Sequence, residues 1–161
     1  MSAESATSSA SNPARWVLIT GATSGIGAAY AYALAAEGYS LWLTGRRMAV
    51  LDPLADKLRE RFQVPVKTAQ VELGDDSQLD ALVAELESTE ALHGLVNNAG
   101  YADDGIFHLM SARQHLAQMQ VHMNATVLLA RAAIPALENN SGFLINVSSL
   151  ASWMPTPGSP L

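Results

Sequence analysis

Three glycines, Gly21, Gly25 and Gly27, stand in the stretch TGATSGIG, between a short apolar run and an alanine-rich segment. Gly21 permits a tight turn, Gly25 lacks the Cβ that would keep an anion from the backbone, and Gly27 lets a following helix pack closely on a strand. The helix that such a turn opens presents free N–H groups and a partial positive charge. Thr20, Gly21, Thr23, Ser24, Gly25, Ile26 and Gly27 can therefore hold a pyrophosphate, the competing reading being a turn that is only structural. Other polar groups interrupt apolar runs further on: TGRR ending at Arg47, NNAG ending at Gly100, Asn124 within VHMNATVLLA, and NVSS ending at Ser149. The Ser148-Ser149 pair before a Pro/Gly-rich loop reads as the entrance to a site. A hydrolase-type nucleophile is excluded there, because no G-x-S-x-G elbow surrounds it.

The elements that must position these groups follow from hydrophobic periodicity. RWVLIT predicts a first strand, and a helix runs from about Ile26 to Glu37, closed by Gly38. SLWLTG, from Ser40 to Gly45, is a second strand, after which Asp52 and Pro53 read as N-cap and first position of a helix reaching Phe62. VPVKTAQVE is a third strand, and Leu79, Leu82, Val83 and Leu86 fall at helical spacing. LHGLVNNAG is a fourth strand, followed by a long helix from Ser111 to about Glu138 and by GFLINVSS as the fifth. Strands that alternate with helices imply a doubly wound α/β sheet of parallel strands with helices on both faces, a three-layer αβα arrangement. Ligands of such sheets sit at the carboxyl ends of the strands, where the polar motifs fall.

Composition narrows the function. The 161 residues carry a net charge of −6, Lys57 and Lys67 are the lysines, and no basic block exists, so nucleic acid and anionic membranes are unsuited partners. No cysteine is present, which removes disulfides and thiolate metal sites and suits a reducing cytoplasm, and the four histidines do not cluster as metal ligands. No apolar run is long enough to span a membrane. Residues 1–14 read as a flexible tail without a targeting pattern, ahead of one domain over 15–161, and we expect a soluble cytoplasmic protein.

Taken together, Thr20-Gly-x-x-x-Gly-x-Gly27, Asn97-Asn98-Ala99-Gly100, Asn124 and Asn146-Val-Ser-Ser149 resemble, in spacing and order, the short-chain dehydrogenase/reductase family. The resemblance implies a Rossmann-type fold and hydride transfer between a nicotinamide cofactor and a ketone or secondary alcohol. It implies that Ser149 bonds the substrate oxygen, that Asn124 holds a water of a proton relay, and that Asn98, Ala99 and Gly100 run beside the adenosine ribose. Glu72 stands where the family has an Asp for the adenine amino group, and Leu73 would pack on adenine. From the residues alone, Asn97 and Asn98 read equally well as ties of the central sheet, and Asn124 as a helix-packing amide. Tyr101 either touches substrate or packs in its loop, His122 lies on the helix surface, and Asp103 and Asp104 are solvated acids. Trp153 and Met154 either line an apolar pocket or pack in their loop.

An acid at the end of the second strand would select NAD(H), whereas this chain has Arg46 and Arg47 there, which favour the 2′-phosphate of NADP(H). The alternative for both is a solvated loop, which fits Arg47 better. The family's proton donor belongs to a Tyr-x-x-x-Lys pair. None is present, since the fourth residues after Tyr30, Tyr32, Tyr39 and Tyr101 are Leu34, Ala36, Leu43 and Gly105. The family pattern puts that Tyr just after Leu161, so we expect a chain truncated after the fifth strand. It would be inactive as it stands, poorly stable on its own, and doubtful as the homo-oligomer common in the family. The alternative is a non-catalytic dinucleotide-binding or interaction module.

Overall fold

The computed structural model describes residues 14–103, 105–150 and 153. The expected tail, apart from Ala14, lies outside the described residues, as do Asp104, Met154 and most of the loop after Ser149.

Five parallel strands form one sheet in the order β3-β2-β1-β4-β5. They are β1 (Trp16–Ile19), β2 (Ser40–Gly45), β3 (Val66–Gln70), β4 (Leu92–Asn97) and β5 (Phe143–Asn146). Alternation along each strand divides two cores. Val17, Ile19, Leu41, Leu43 and Val96 pack with Ala31 and Ala35 of α1 (Gly25–Ala36) and with Leu51 and Leu58 of α2 (Met48–Phe62). Leu18, Trp42 and Leu95 face the other way, onto Leu79, Leu82 and Leu86 of α3 (Asp76–Glu87) and onto the long helix that follows β4. Because both faces are covered by helices, the central strands are apolar on both sides, and β2 is buried at every position.

The long helix is one path with a change of pitch: α4 (Ala112–Met119), a π turn (Gln120–Asn124) and α5 (Ala125–Asn139). Its start is fixed by a capping box, in which the Ser111 hydroxyl accepts from the Gln114 N–H and the Gln114 side chain accepts from the Ser111 N–H. The extra residue of the π turn ends at Asn124.

One expectation is overturned. The second helix starts at Met48 rather than at Asp52, with Arg47 as N-cap and Pro53 inside. Its buried stripe is Leu51, Leu54, Ala55 and Leu58, so burying Leu51 requires a helical turn ahead of Pro53. Asp52 accepts instead from the Thr68 hydroxyl at 2.9 Å.

A carboxylate cap does open α3. The Asp75 side chain accepts from the Gln78 N–H at 3.0 Å and from the Ser77 hydroxyl at 2.8 Å. These bonds, that of the Gln78 N–H foremost, hold the carboxyl below its ordinary value of 3.8. A depressed folded value contributes stability that is complete above the unfolded value and is lost as pH falls through the folded one. Asp75→Ala should lower the melting temperature at neutral pH and reduce the further loss on acidification below about pH 4. Identical melting curves for the two chains at neutral pH would contradict the cap.

Candidate active site

The chain runs outward from β1 through β2 to β3, then returns to the other side of β1 for β4 and β5, so strand order reverses between β1 and β4. A cavity of about 960 Å³ opens at the carboxyl ends of the strands there. Of the residues singled out in the sequence, Gly21, Thr23, Ser24, Gly25, Ile26, Arg46, Arg47, Glu72, Leu73, Asn98, Ala99, Gly100 and Ser149 line it. Thr20, Gly27 and Asn124 are not on its wall.

Thr20 and Gly27 shape that wall from behind. The Thr20 hydroxyl, 1% exposed, accepts from the Asn98 and Ala99 N–H groups, each at 3.0 Å. Asn98 answers with its side-chain amide, which donates to the Thr20 carbonyl at 3.0 Å and the Gly21 carbonyl at 3.2 Å. A Cβ on Gly27 would lie 2.5 Å from both the Gly21 carbonyl oxygen and that amide, so only a glycine allows helix, turn and Asn98 to meet. Gly21 and Gly25 take φ of +66° and +55°, and nothing lies within 4 Å of a Cβ built on Gly25, which leaves open space at the start of α1. The side chain of Ser24, the N-cap residue of that helix, makes no capping bond.

Asn97 serves the sheet, its amide donating to the Asn146 side chain at 3.0 Å and to the Thr126 carbonyl at 3.3 Å. On the wall beyond β2 Arg46 reaches the Glu72 carboxylate at 3.5 Å, and Arg47 donates to the Thr23 hydroxyl at 3.1 Å and carbonyl at 3.4 Å. Arg47 is thus exposed yet bonded to the glycine turn. Glu72 also accepts from the Gly74 N–H at 3.1 Å. Leu73 is buried in the core that also holds Val71 and Val121.

Tyr101 stands between these walls, with the Arg46 guanidinium 6.0 Å from its ring centroid. Partial burial pushes its phenol above the ordinary value, the charges of Asp103 and Glu72 add to the rise, and Arg46 opposes it. Its backbone is gripped by a residue that the sequence reading placed on the helix surface. The exposed His122 ring puts Nε2 2.7 Å from the Tyr101 carbonyl and 3.2 Å from the Tyr101 N–H, donating in one tautomer and accepting in the other. A Cβ on Gly100 would lie 2.6 Å from that ring. Gln118, also unforeseen, lines the cavity while only 2% exposed. Ser149 is exposed on the wall, whereas the exposed Asn124 amide donates to Gln120 Oε1 at 2.6 Å, so these two are not brought to one surface of the cavity.

Thr20→Val keeps the shape and removes the acceptor of two backbone N–H groups. At roughly 1–3 kcal/mol for each orphaned group, it should cost about 2–6 kcal/mol in urea unfolding. A loss below about 0.5 kcal/mol would show that the hydroxyl is dispensable.

The chain is similar to known proteins in sequence and in fold. A family model described as short chain dehydrogenase matches residues 15–161. A sulfoacetaldehyde reductase of Chromohalobacter salexigens is 37% identical over 148 residues, covering 89% of this chain and 57% of its own length. A short-chain dehydrogenase from Sphingobium yanoikuyae in complex with NADPH superposes with a TM-score of 0.84 at 35% identity, covering 89% of this chain and 56% of that one. L-sorbose reductase from Gluconobacter frateurii, complexed with NADPH and L-sorbose, gives a TM-score of 0.84 at 30% identity, covering 91% of this chain and 57% of that one. The chain spans about half the length of the curated relatives it matches.

Proposed function

The chain belongs to the short-chain dehydrogenase family, and on that premise we propose that its cavity binds NADP(H) and serves hydride exchange with a small ketone or secondary alcohol. The observation that carries the reading is the glycine turn. Its open side at Gly25, beside a helix start whose N-cap side chain makes no capping bond, is a cradle that a Cβ would fill and that suits a pyrophosphate. Relatives of known structure that hold NADPH agree with the choice of cofactor.

The remaining cofactor contacts divide by chemistry. Arg46 and Arg47 would meet the 2′-phosphate, and no carboxylate ends β2 to repel it. Leu73 gives an apolar wall for adenine with Glu72 beside it, and Asn98, Ala99 and Gly100 would border the ribose. When bound, the nicotinamide gives or takes the hydride. Ser149 would orient the substrate oxygen by a hydrogen bond, and Asn124 would hold a relay water once a change at the π turn released it from Gln120. A proton must also reach or leave that oxygen. The 161 residues hold no Tyr-x-x-x-Lys pair to move it, so we expect this chain to bind cofactor without turning over by itself. A binding module without chemistry is the second reading, favoured by the same missing pair. NADPH oxidation measured with a panel of ketones tests both: the chain alone should show no turnover, and turnover would sink the second reading and the expectation that the missing pair abolishes chemistry.

Arg46→Ala tests the cofactor choice. The Arg46–Glu72 pair is 65% and 41% exposed, so its loss should leave stability nearly unchanged. NADPH affinity should fall about ten- to a hundredfold while NADH affinity stays within about threefold. A solvated loop residue would leave both dissociation constants where they were, as fluorescence titration would reveal.

A further inference from the structure

Gln118 lies on the inward stripe of the long helix with Val121, Ala125 and Leu129, all of them buried. An amide there breaks an otherwise apolar stripe at its cavity end. Its Nε2 is shielded from solvent and has no hydrogen-bond partner among the described residues. Such an orphan costs stability in the empty protein, and a chain keeps one where a ligand group completes it.

Its place narrows what that ligand group is. The π turn that follows is tied to the start of α3 by Gln120, which donates to Asp76 at 2.7 Å, and Val121 lies 3.9 Å from a Cβ built on Gly74. Gln118 therefore belongs to the wall that faces the end of β3, in one cavity with Val71, Leu73 and Val121. Apolar side chains around a single amide suit a flat heteroaromatic base and not a phosphate, for which Arg46 and Arg47 are better placed. A primary amide sets a donor beside an acceptor, and adenine sets its 6-amino donor beside a ring-nitrogen acceptor, so the two edges match. Glu72, the expected partner of the amino group, already accepts from Gly74 and Arg46.

We infer that Gln118 is the adenine-reading residue of this cavity, pairing its side-chain amide with the hydrogen-bonding edge of the base. The inference rests on the NADP(H) reading above.

The test compares NADPH with its purine analogue, in which a hydrogen replaces the 6-amino group, so that turning the amide cannot restore the lost hydrogen bond. Dissociation constants are measured by fluorescence for the parent chain, for Gln118→Met and for Gln118→Asn, whose amide is one methylene short. The parent should prefer NADPH about tenfold, and both variants should fall to within about twofold, chiefly because NADPH binds about three- to tenfold more weakly. The ratio is taken on one sample, so a smaller folded fraction does not alter it. Without cofactor, Gln118→Met should melt at or above the parent temperature, because it removes an unpaired buried group, whereas a structural amide would make it melt lower. A parent that binds NADPH, with the same preference kept in both variants, overturns the role of Gln118 alone. A parent that does not bind NADPH overturns the cofactor reading and this inference with it.

Discussion

Where β1 and β4 end, neighbouring parallel strands stop pairing and their chains part, one into the glycine turn and the other into the loop carrying Tyr101. Parting strands leave backbone N–H groups without a ladder partner at the point where the site must be most rigid. The Thr20 hydroxyl takes two of them, from Asn98 and Ala99, and the Asn98 amide returns bonds to Thr20 and Gly21. This reciprocal knot fixes the distance between the two loops, and Gly27 lets α1 close against it. The cavity wall inherits its shape from that knot, which is why Thr20 and Gly27 matter without lining the cavity.

Charge is arranged on the same frame. In a chain of net charge −6, the two arginines at the end of β2 stand on the cavity wall, one drawn toward Glu72 and the other toward the glycine turn. Both are exposed, so neither bond holds them at much cost to an incoming anion. Tyr101 shows the opposite sign of the field: burial and the acids beside it favour the neutral phenol despite the nearby Arg46. The cavity is thus cationic at the Arg46 and Arg47 lip and apolar where Leu73 and Val121 meet it.

Much of this was readable from the sequence because it depends on backbone needs that few residues meet. The β2 boundaries, the switch-point motifs and the positive φ of Gly21 and Gly25 follow from period and from glycine placement. The start of α2 was misread because Asp-Pro is a strong local cap signal, and burial of Leu51 outweighed it. The contact of the exposed His122 with Tyr101 and the burial of Gln118 were missed for a different reason. Each of the two is a polar residue in a helix, and helical periodicity marks polar residues as solvent-facing unless a long-range partner says otherwise. The partner of His122 is the backbone of Tyr101, 21 residues away, and the buried setting of Gln118 comes from the register of the π turn. Neither leaves a local signal.

The site separates binding from chemistry in space. On the proposed reading, the groups for phosphate, ribose and base follow β1, β2, β3 and β4 and line the cavity together. Groups suited to the reacting oxygen are fewer: Ser149 on the wall after β5, and Asn124 turned toward Gln120. Contacts made equally in the ground and transition states raise affinity without raising rate. Acceleration requires a group that meets charge as it develops, here a proton at the substrate oxygen. The Asn124 amide lies on the same helical path as Gln118 and donates to Gln120, four residues before it. On the reading proposed above, that amide is spent within its own helix, and the described residues offer binding contacts without a group placed to favour the transition state over the bound substrate.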